Sequence, residues 1–170
     1  MSLAVSLVAC NSGGGGTPLQ TTSARGFPLG DLTVQRGSTQ VLSVTVEIAD
    51  NAKAWEKGLM GVTNLAPNQG MAFVFGGTVN DQFWMKDTLI PLDILFAGSS
   101  GAVVDMLTMT PCPADPCPTY ASSQPYQTAV EVASGVLAKA GVHTGDVVHL
   151  SRRAPATAAA STAATASPTQ

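Results

Sequence analysis

From Leu32 to Leu150 the chain is a series of short apolar segments separated by turns rich in glycine, proline and asparagine. Val41 to Ile48 alternates strictly. Leu42, Val44, Val46 and Ile48 fall on one side and Ser43, Thr45 and Glu47 on the other, which is the period of a half-buried strand. Leu32 to Gln35 is a partner strand across an Arg36-Gly37-Ser38 turn. Asp50 is placed to cap a short helix from Asn51 to Lys57, which Gly58 would end. Gly70 to Phe75 is apolar without interruption and reads as a strand buried on both faces, followed by a turn from Gly76 to Asp81. Phe83 to Lys86 is extended, Asp87 to Pro91 turns, and Leu92 to Ala97 pairs with Ala102 to Thr110 across a glycine-serine turn. Tyr126 to Val132 is a further strand, Ser134 to Ala140 a short helix ended by Gly141, and Val147 to Leu150 a last strand. Seven or eight short strands with two short helices predict a mainly β domain of the α+β kind. A compact barrel-like or rolled sheet is expected, because a flat sheet this apolar would leave adhesive edges.

The ends of the chain have a different character. Leu3 to Ala9 is a short apolar run, and Leu7-Val8-Ala9-Cys10 resembles a bacterial lipobox, in which the cysteine is lipidated. No Lys or Arg precedes that run, so residues 1–10 are read as a truncated lipoprotein signal; whether its start lies upstream of Met1 is not fixed by the sequence. The rival is an ordinary cytosolic N-terminus carrying a buried cysteine. Residues 11–30, with four successive glycines, read as a flexible tether with a reach of roughly 25 Å. Residues 31–153 form the expected single domain, and residues 154–170, built of Ala, Thr, Ser and Pro, an expected disordered tail. No apolar run is long enough to span a bilayer. The expected location is therefore the bacterial cell envelope, with the protein lipid-anchored through Cys10 and facing the periplasm or exterior.

Charge narrows the partners. The chain has 8 Lys and Arg against 11 Asp and Glu, a net −3, and its cations are scattered apart from Arg152-Arg153. A nucleic-acid binder needs a basic stripe, so that class is set aside. Cys112 and Cys117 lie in a proline-rich turn, Pro111-Cys-Pro-Ala-Asp-Pro-Cys-Pro118. An oxidising compartment would close them into a structural disulfide. A zinc half-site lacks a second pair of ligands, and a redox pair would normally have a shorter gap.

Gly58-Leu59-Met60, Gly70-Met71-Ala72-Phe73-Val74-Phe75 and the run from Phe83 to Phe96 carry a family resemblance. Cys112 with Cys117, Val130-Glu131-Val132 with Gly135, and Gly145-Asp146-Val147-Val148 extend it. With these segments the chain resembles the bacterial and archaeal family called domain of unknown function 192 (DUF192), over nearly all of Thr39 to Leu150. The resemblance implies a small β-rich domain, often exported, and supplies no catalytic residues.

Candidate chemistry comes from charge set among apolar neighbours. Asp93 lies between Leu92 and Ile94, and Glu131 between Val130 and Val132. A bare carboxylate on an internal strand is costly and raises its own pKa. Lys86 and the Asp87-Thr88 turn are the nearest expected partners of Asp93. Should both carboxylates meet near Lys86, they would form an acid/base pair or a polar clamp; otherwise each ties a turn to a strand. Trp84 and Met85 alternate, so one faces inward and the other is free to stack on a ligand. The methionines read as core filler rather than a copper site, and His143 and His149 have no ligand partners at suitable spacing. No metal and no cofactor is expected.

These readings converge on a non-catalytic binding or accessory module of the envelope. The expected contact surface is Trp84, Lys86 and Thr88 with Asp93 and Glu131 behind, taking a small polar ligand or another envelope protein. The alternative is a hydrolase-like envelope enzyme using Asp93 and Glu131 as acid and base.

Overall fold

The computed structural model describes residues 19–154. Strands β1 (Leu29–Arg36) and β2 (Thr39–Ala49) form a hairpin over the Gly37 turn, and helix α1 (Ala52–Lys57) leads to β3 (Gln69–Val79). Next come β4 (Gln82–Trp84), β5 (Leu92–Ala97), β6 (Val103–Met109), β7 (Thr119–Ala121) and β8 (Tyr126–Ala133). Helix α2 (Val136–Ala140) and strand β9 (Val147–Arg152) complete the domain.

Seven strands make one sheet in the order β6-β5-β8-β3-β2-β1-β9, and β4 pairs with β7 as a separate ribbon. All pairings are antiparallel except β2 with β3, which are parallel because α1 carries the chain back across. The sheet does not close into a barrel. Its two edges touch at one bridge, Ala102 with Val147, held by Val148 N–H to Gly101 O at 2.8 Å and Val103 N–H to Asp146 O at 2.7 Å. Of the two expected forms, the rolled open sheet is therefore the correct one. Beyond that bridge no ladder joins β6 to β9 among the described residues.

Each face of the sheet carries its own core. One is aromatic, with Phe73, Phe75, Phe96 and Tyr126 around Met71, Met85, Leu92, Ile94 and Met109. The other is aliphatic, with Leu32, Val34, Val44, Val46, Ile48, Leu95, Val130 and Val132, closed by Leu137 and Val142 at the two ends of α2. Strands β3 and β5 feed both cores, which is why their sequences are apolar without alternation. Gly70 must be glycine for packing reasons, since a Cβ there would lie 2.5 Å from the Glu131 carbonyl oxygen on β8.

Several local expectations need correction. Asn51, not Asp50, caps α1, its Oδ1 accepting from Ala54 N–H at 3.1 Å, while Asp50 pairs with Arg152 at 2.9 Å. The expected turn from Gly76 to Asp81 is shorter, because β3 continues to Val79 through an irregularity in its pairing with β8. Strand β7 was not anticipated; its three residues are stabilised by pairing with β4, which no local pattern announces. The domain also begins before Asp31. Phe27 is buried in the aromatic core, Thr22 bridges Pro28, and Arg25 pairs with Glu47, so the last part of the expected tether is folded. Cys10, the glycine run and residues 155–170 lie outside the described residues.

Candidate functional site

The two carboxylates singled out in the sequence do not meet. Asp93 of β5 stands opposite Val132 of β8 and so faces the aliphatic core; Glu131 stands opposite Ile94 and Met71 and faces the aromatic core. Directly paired residues share a face, and one step along a strand reverses it. The acid/base pair and the shared clamp are therefore both excluded by register.

Asp93 is saturated by partners. Its Oδ1 accepts from Thr108 Oγ1 at 2.9 Å, and Oδ2 from the N–H groups of Gly135 at 2.8 Å and Leu137 at 3.3 Å. These bonds tie β5 to β6 and to the first turn of α2, where Gly135 itself offers no side-chain cap. Neither Lys86 nor the Asp87-Thr88 turn is among them. Asp93 is thus a long-range helix cap, and its signal in the sequence, a buried acid before a turn, was correctly suspicious but pointed to the wrong partners.

Glu131 is the opposite case. It is 4% exposed and makes no hydrogen bond to another described residue. Burial pushes its carboxyl up to about 8, against a smaller opposing pull from Arg25. Glu131 lines a narrow crevice whose free volume, about 30 Å³, is close to that of one water. Trp55 and Lys57 of α1, Leu59 and Met60 after it, Phe73, Phe83, Trp84 and Thr88 enclose the rest. Gly58 turns the chain into this wall with a positive φ of 43°, and Gly61 N–H donates to Asp87 O at 2.8 Å, drawing the loop after α1 onto the turn after β4.

Behind the crevice the aromatic rings lock one another. Trp55 stacks on Phe75 with centroids 4.9 Å apart, and Phe83 meets Phe73 edge-on at 5.0 Å. The Trp55 indole N–H donates to Ala49 O at 3.0 Å, which fixes the ring against the sheet. Met85 is buried and Trp84 is 47% exposed at the rim. Lys86 leans over the Trp84 ring at 5.7 Å and pairs with Asp115 at 3.2 Å, within the loop closed by the Cys112–Cys117 disulfide. Of the expected contact residues, the structure brings Trp84, Thr88 and Glu131 to one crevice, sets Lys86 beside it, and removes Asp93 to the other face.

Four of the segments quoted for the family resemblance, those containing Gly58–Met60, Phe73, Phe83–Thr88 and Glu131, thus meet at one small space. A family model described as Uncharacterized ACR, DUF192, matches residues 33–150. The chain belongs to the DUF192 family. No curated protein matches it. Two solved structures resemble the DUF192 fold described above. One, from Novosphingobium aromaticivorans, is a protein of unknown function, 28% identical, with a TM-score of 0.69 over 79% of this chain and 94% of its own. The other, from Sinorhizobium meliloti, is proposed to be a transcription regulator; it is 29% identical, with a TM-score of 0.66 over 73% of this chain and 95% of its own.

Sequence reasoning missed the crevice as a unit. Trp55, Phe73 and Phe83 read as ordinary core positions, and Gly58-Leu59-Met60 as a loop. A second omission is Asp146, buried on the other side of the domain. Arg36 donates to it twice, at 2.9 and 2.8 Å, and His143 N–H adds a third bond at 2.8 Å. The Arg36 bonds first, then the His143 amide, hold its carboxyl below the ordinary range. The pair anchors β1 to the turn before β9.

Proposed function

We propose that this DUF192 protein is a lipid-anchored component of the bacterial envelope, held through Cys10. Its folded domain acts as a non-catalytic binding module, and the crevice beside Trp84 is the contact point. The observation that carries this reading is Glu131: the acid of a buried residue that bonds no other described residue and lines a crevice with several aromatic side chains. Natural cores rarely keep a bare carboxyl, and sites that recognise ligands do so with a few convergent polar groups in an apolar setting. The acid/base alternative loses its chemistry once Asp93 is committed to α2 on the far face. An extracytoplasmic position is consistent with a disulfide in a domain of this size.

The regulator role proposed for the Sinorhizobium protein is not carried over. Five of the 8 cationic side chains, Arg25, Arg36, Lys86, Arg152 and Arg153, are paired with acids, which leaves no basic stripe for a phosphate backbone.

Two measurements test the reading. Expressed in a bacterial host, the protein should partition with membranes and move to the soluble fraction as Cys10→Ser. Separately, small polar fragments of the cell envelope should shift the indole signals of Trp84 and Trp55, and Trp84→Ala should abolish those shifts without unfolding. Turnover of any such fragment that disappears in Glu131→Gln would replace the binding role with an enzymatic one.

A further inference from the structure

The crevice has properties that select among ligands. One wall includes Glu131, whose carboxyl accepts no hydrogen bond from another described residue. The others include the aromatic side chains Trp55, Phe73, Phe83 and Trp84, of a kind that attracts cations and repels anions, together with Lys57, Leu59, Met60 and Thr88. Trp84 already holds one cation this way, with Lys86 Nζ 5.7 Å from its centroid. The enclosed space is small, about 30 Å³, close to the volume of one water.

The neighbouring cations are directed elsewhere. Arg25 bonds Glu47 at 2.6 Å and the Gly58 carbonyl; Lys57 Nζ donates to Arg25 O at 3.3 Å and lies over Phe27; Lys86 pairs with Asp115. Glu56 of α1 adds a second acid to the crevice wall. The strands flanking Glu131 present only Met71 and Ile94 to it. Among the described residues the buried acid thus has no ion-pair or hydrogen-bond partner; Arg25 acts on it only at a distance, and each of the three nearby bases has another contact.

We infer that the crevice seats a primary alkylammonium group, from a lysine-like side chain or a free amine, between the Glu131 carboxylate and the aromatic walls. This rests on the reading of the Trp84 face as a binding surface and names what it binds. The ammonium head enters, its three N–H donors supplying what the carboxylate lacks, and the alkyl stem lies along the exposed Trp84 ring. Quaternary ammonium groups are too large for the space, which separates this site from an open aromatic cage. Binding requires Glu131 ionised, and its carboxyl titrates near 8 in the empty site. A cation that enters at pH 7 therefore expels a proton, and affinity should rise roughly tenfold from pH 6 to pH 7 and level off above 8.

The test uses the full chain and three probes with the same butyl stem, n-butylamine, 1-butanol and butyltrimethylammonium, followed by indole signals in NMR. Nα-acetyl-lysine N-methylamide serves as a fourth, for an amine borne on a peptide. The expected result is saturable binding of n-butylamine on the order of millimolar at pH 8.5, at least about tenfold tighter than the alcohol or the quaternary cation. Glu131→Gln should weaken it about tenfold or more and remove its pH dependence. Trp84→Ala, at an exposed position, should weaken it without loss of fold. Binding of the lysine derivative alone assigns the site to a peptide-borne amine; binding of both assigns it to the head group.

Equal binding of 1-butanol and n-butylamine, with Trp84 and Trp55 still shifted, overturns the amine assignment and leaves the binding surface standing. Absence of any shift at those indoles up to about 100 mM of every probe overturns both.

Discussion

Replacing Glu131 with glutamine should make the protein more stable, and only above acidic pH. In the unfolded chain the carboxyl titrates near 4.5; in the fold, burial moves it to about 8. The folded state thus holds a proton that the unfolded chain has already released, so wild-type stability falls as pH rises from about 4.5 to 8 and is flat beyond. At about 1.4 kcal/mol per pH unit of difference, the whole loss is on the order of 5 kcal/mol, an upper figure for a site with one face near solvent. Other shifted groups act outside this window. Asp31, Asp105 and Asp146 are lowered and respond only in acid, and Tyr126 is raised by burial and responds only in strong base. Urea unfolding of wild type and Glu131→Gln at pH 5, 7 and 8.5 reads the effect. The two proteins should differ by less than about 1 kcal/mol at pH 5, with the variant ahead by about 3–5 kcal/mol at pH 8.5. Parallel stability curves across that range would refute the claim that Glu131 is buried and unpartnered.

Asp93→Ala should lower stability by about 3–5 kcal/mol, a drop in Tm of roughly 10–15 °C, because it strands the Thr108 hydroxyl and two N–H groups of α2. Calorimetry checks it, and a change under about 1 kcal/mol would contradict the capping role. The Arg36 pair should support the fold above the unfolded carboxyl range near 3.8 and lose that support as pH falls through the lowered value for Asp146. Acid titration of Asp146→Asn should accordingly show a shallower decline below pH 4 than wild type, and an unchanged acid limb would count against it. Reducing the Cys112–Cys117 bridge, or replacing both residues with serine, should cost about 2 kcal/mol from loop-closure entropy. Since that loop holds Asp115 against Lys86, the Trp84 indole should shift on reduction; an unmoved signal would disconnect the loop from the crevice.

Much of this fold was readable from local pattern. Alternation in Val41 to Ile48 placed β2, the unbroken apolar run after Gly70 marked β3 as buried on both sides, and glycines 37, 58 and 141 punctuated the elements where the structure ends them. Each signal is a short-range one: side-chain direction along a strand, or the backbone freedom of a single residue. The suspicion attached to Asp93 and Glu131 was of the same kind, since charge inside an apolar strand stands out from its neighbours alone.

What each carboxylate does was settled by pairing across 37 to 39 positions of chain, Asp93 opposite Val132 and Ile94 opposite Glu131. A shift of one residue in that register would have placed the two acids on the same face, and nothing in either strand's own sequence distinguishes the alternatives. The crevice has the same origin. Its walls come from α1, the loop after it, β3, β4 and β8, each carrying residues that read singly as core. Apolar and aromatic character is a property of the residue, whereas the meeting of those residues around an unpaired acid is a property of long-range packing alone.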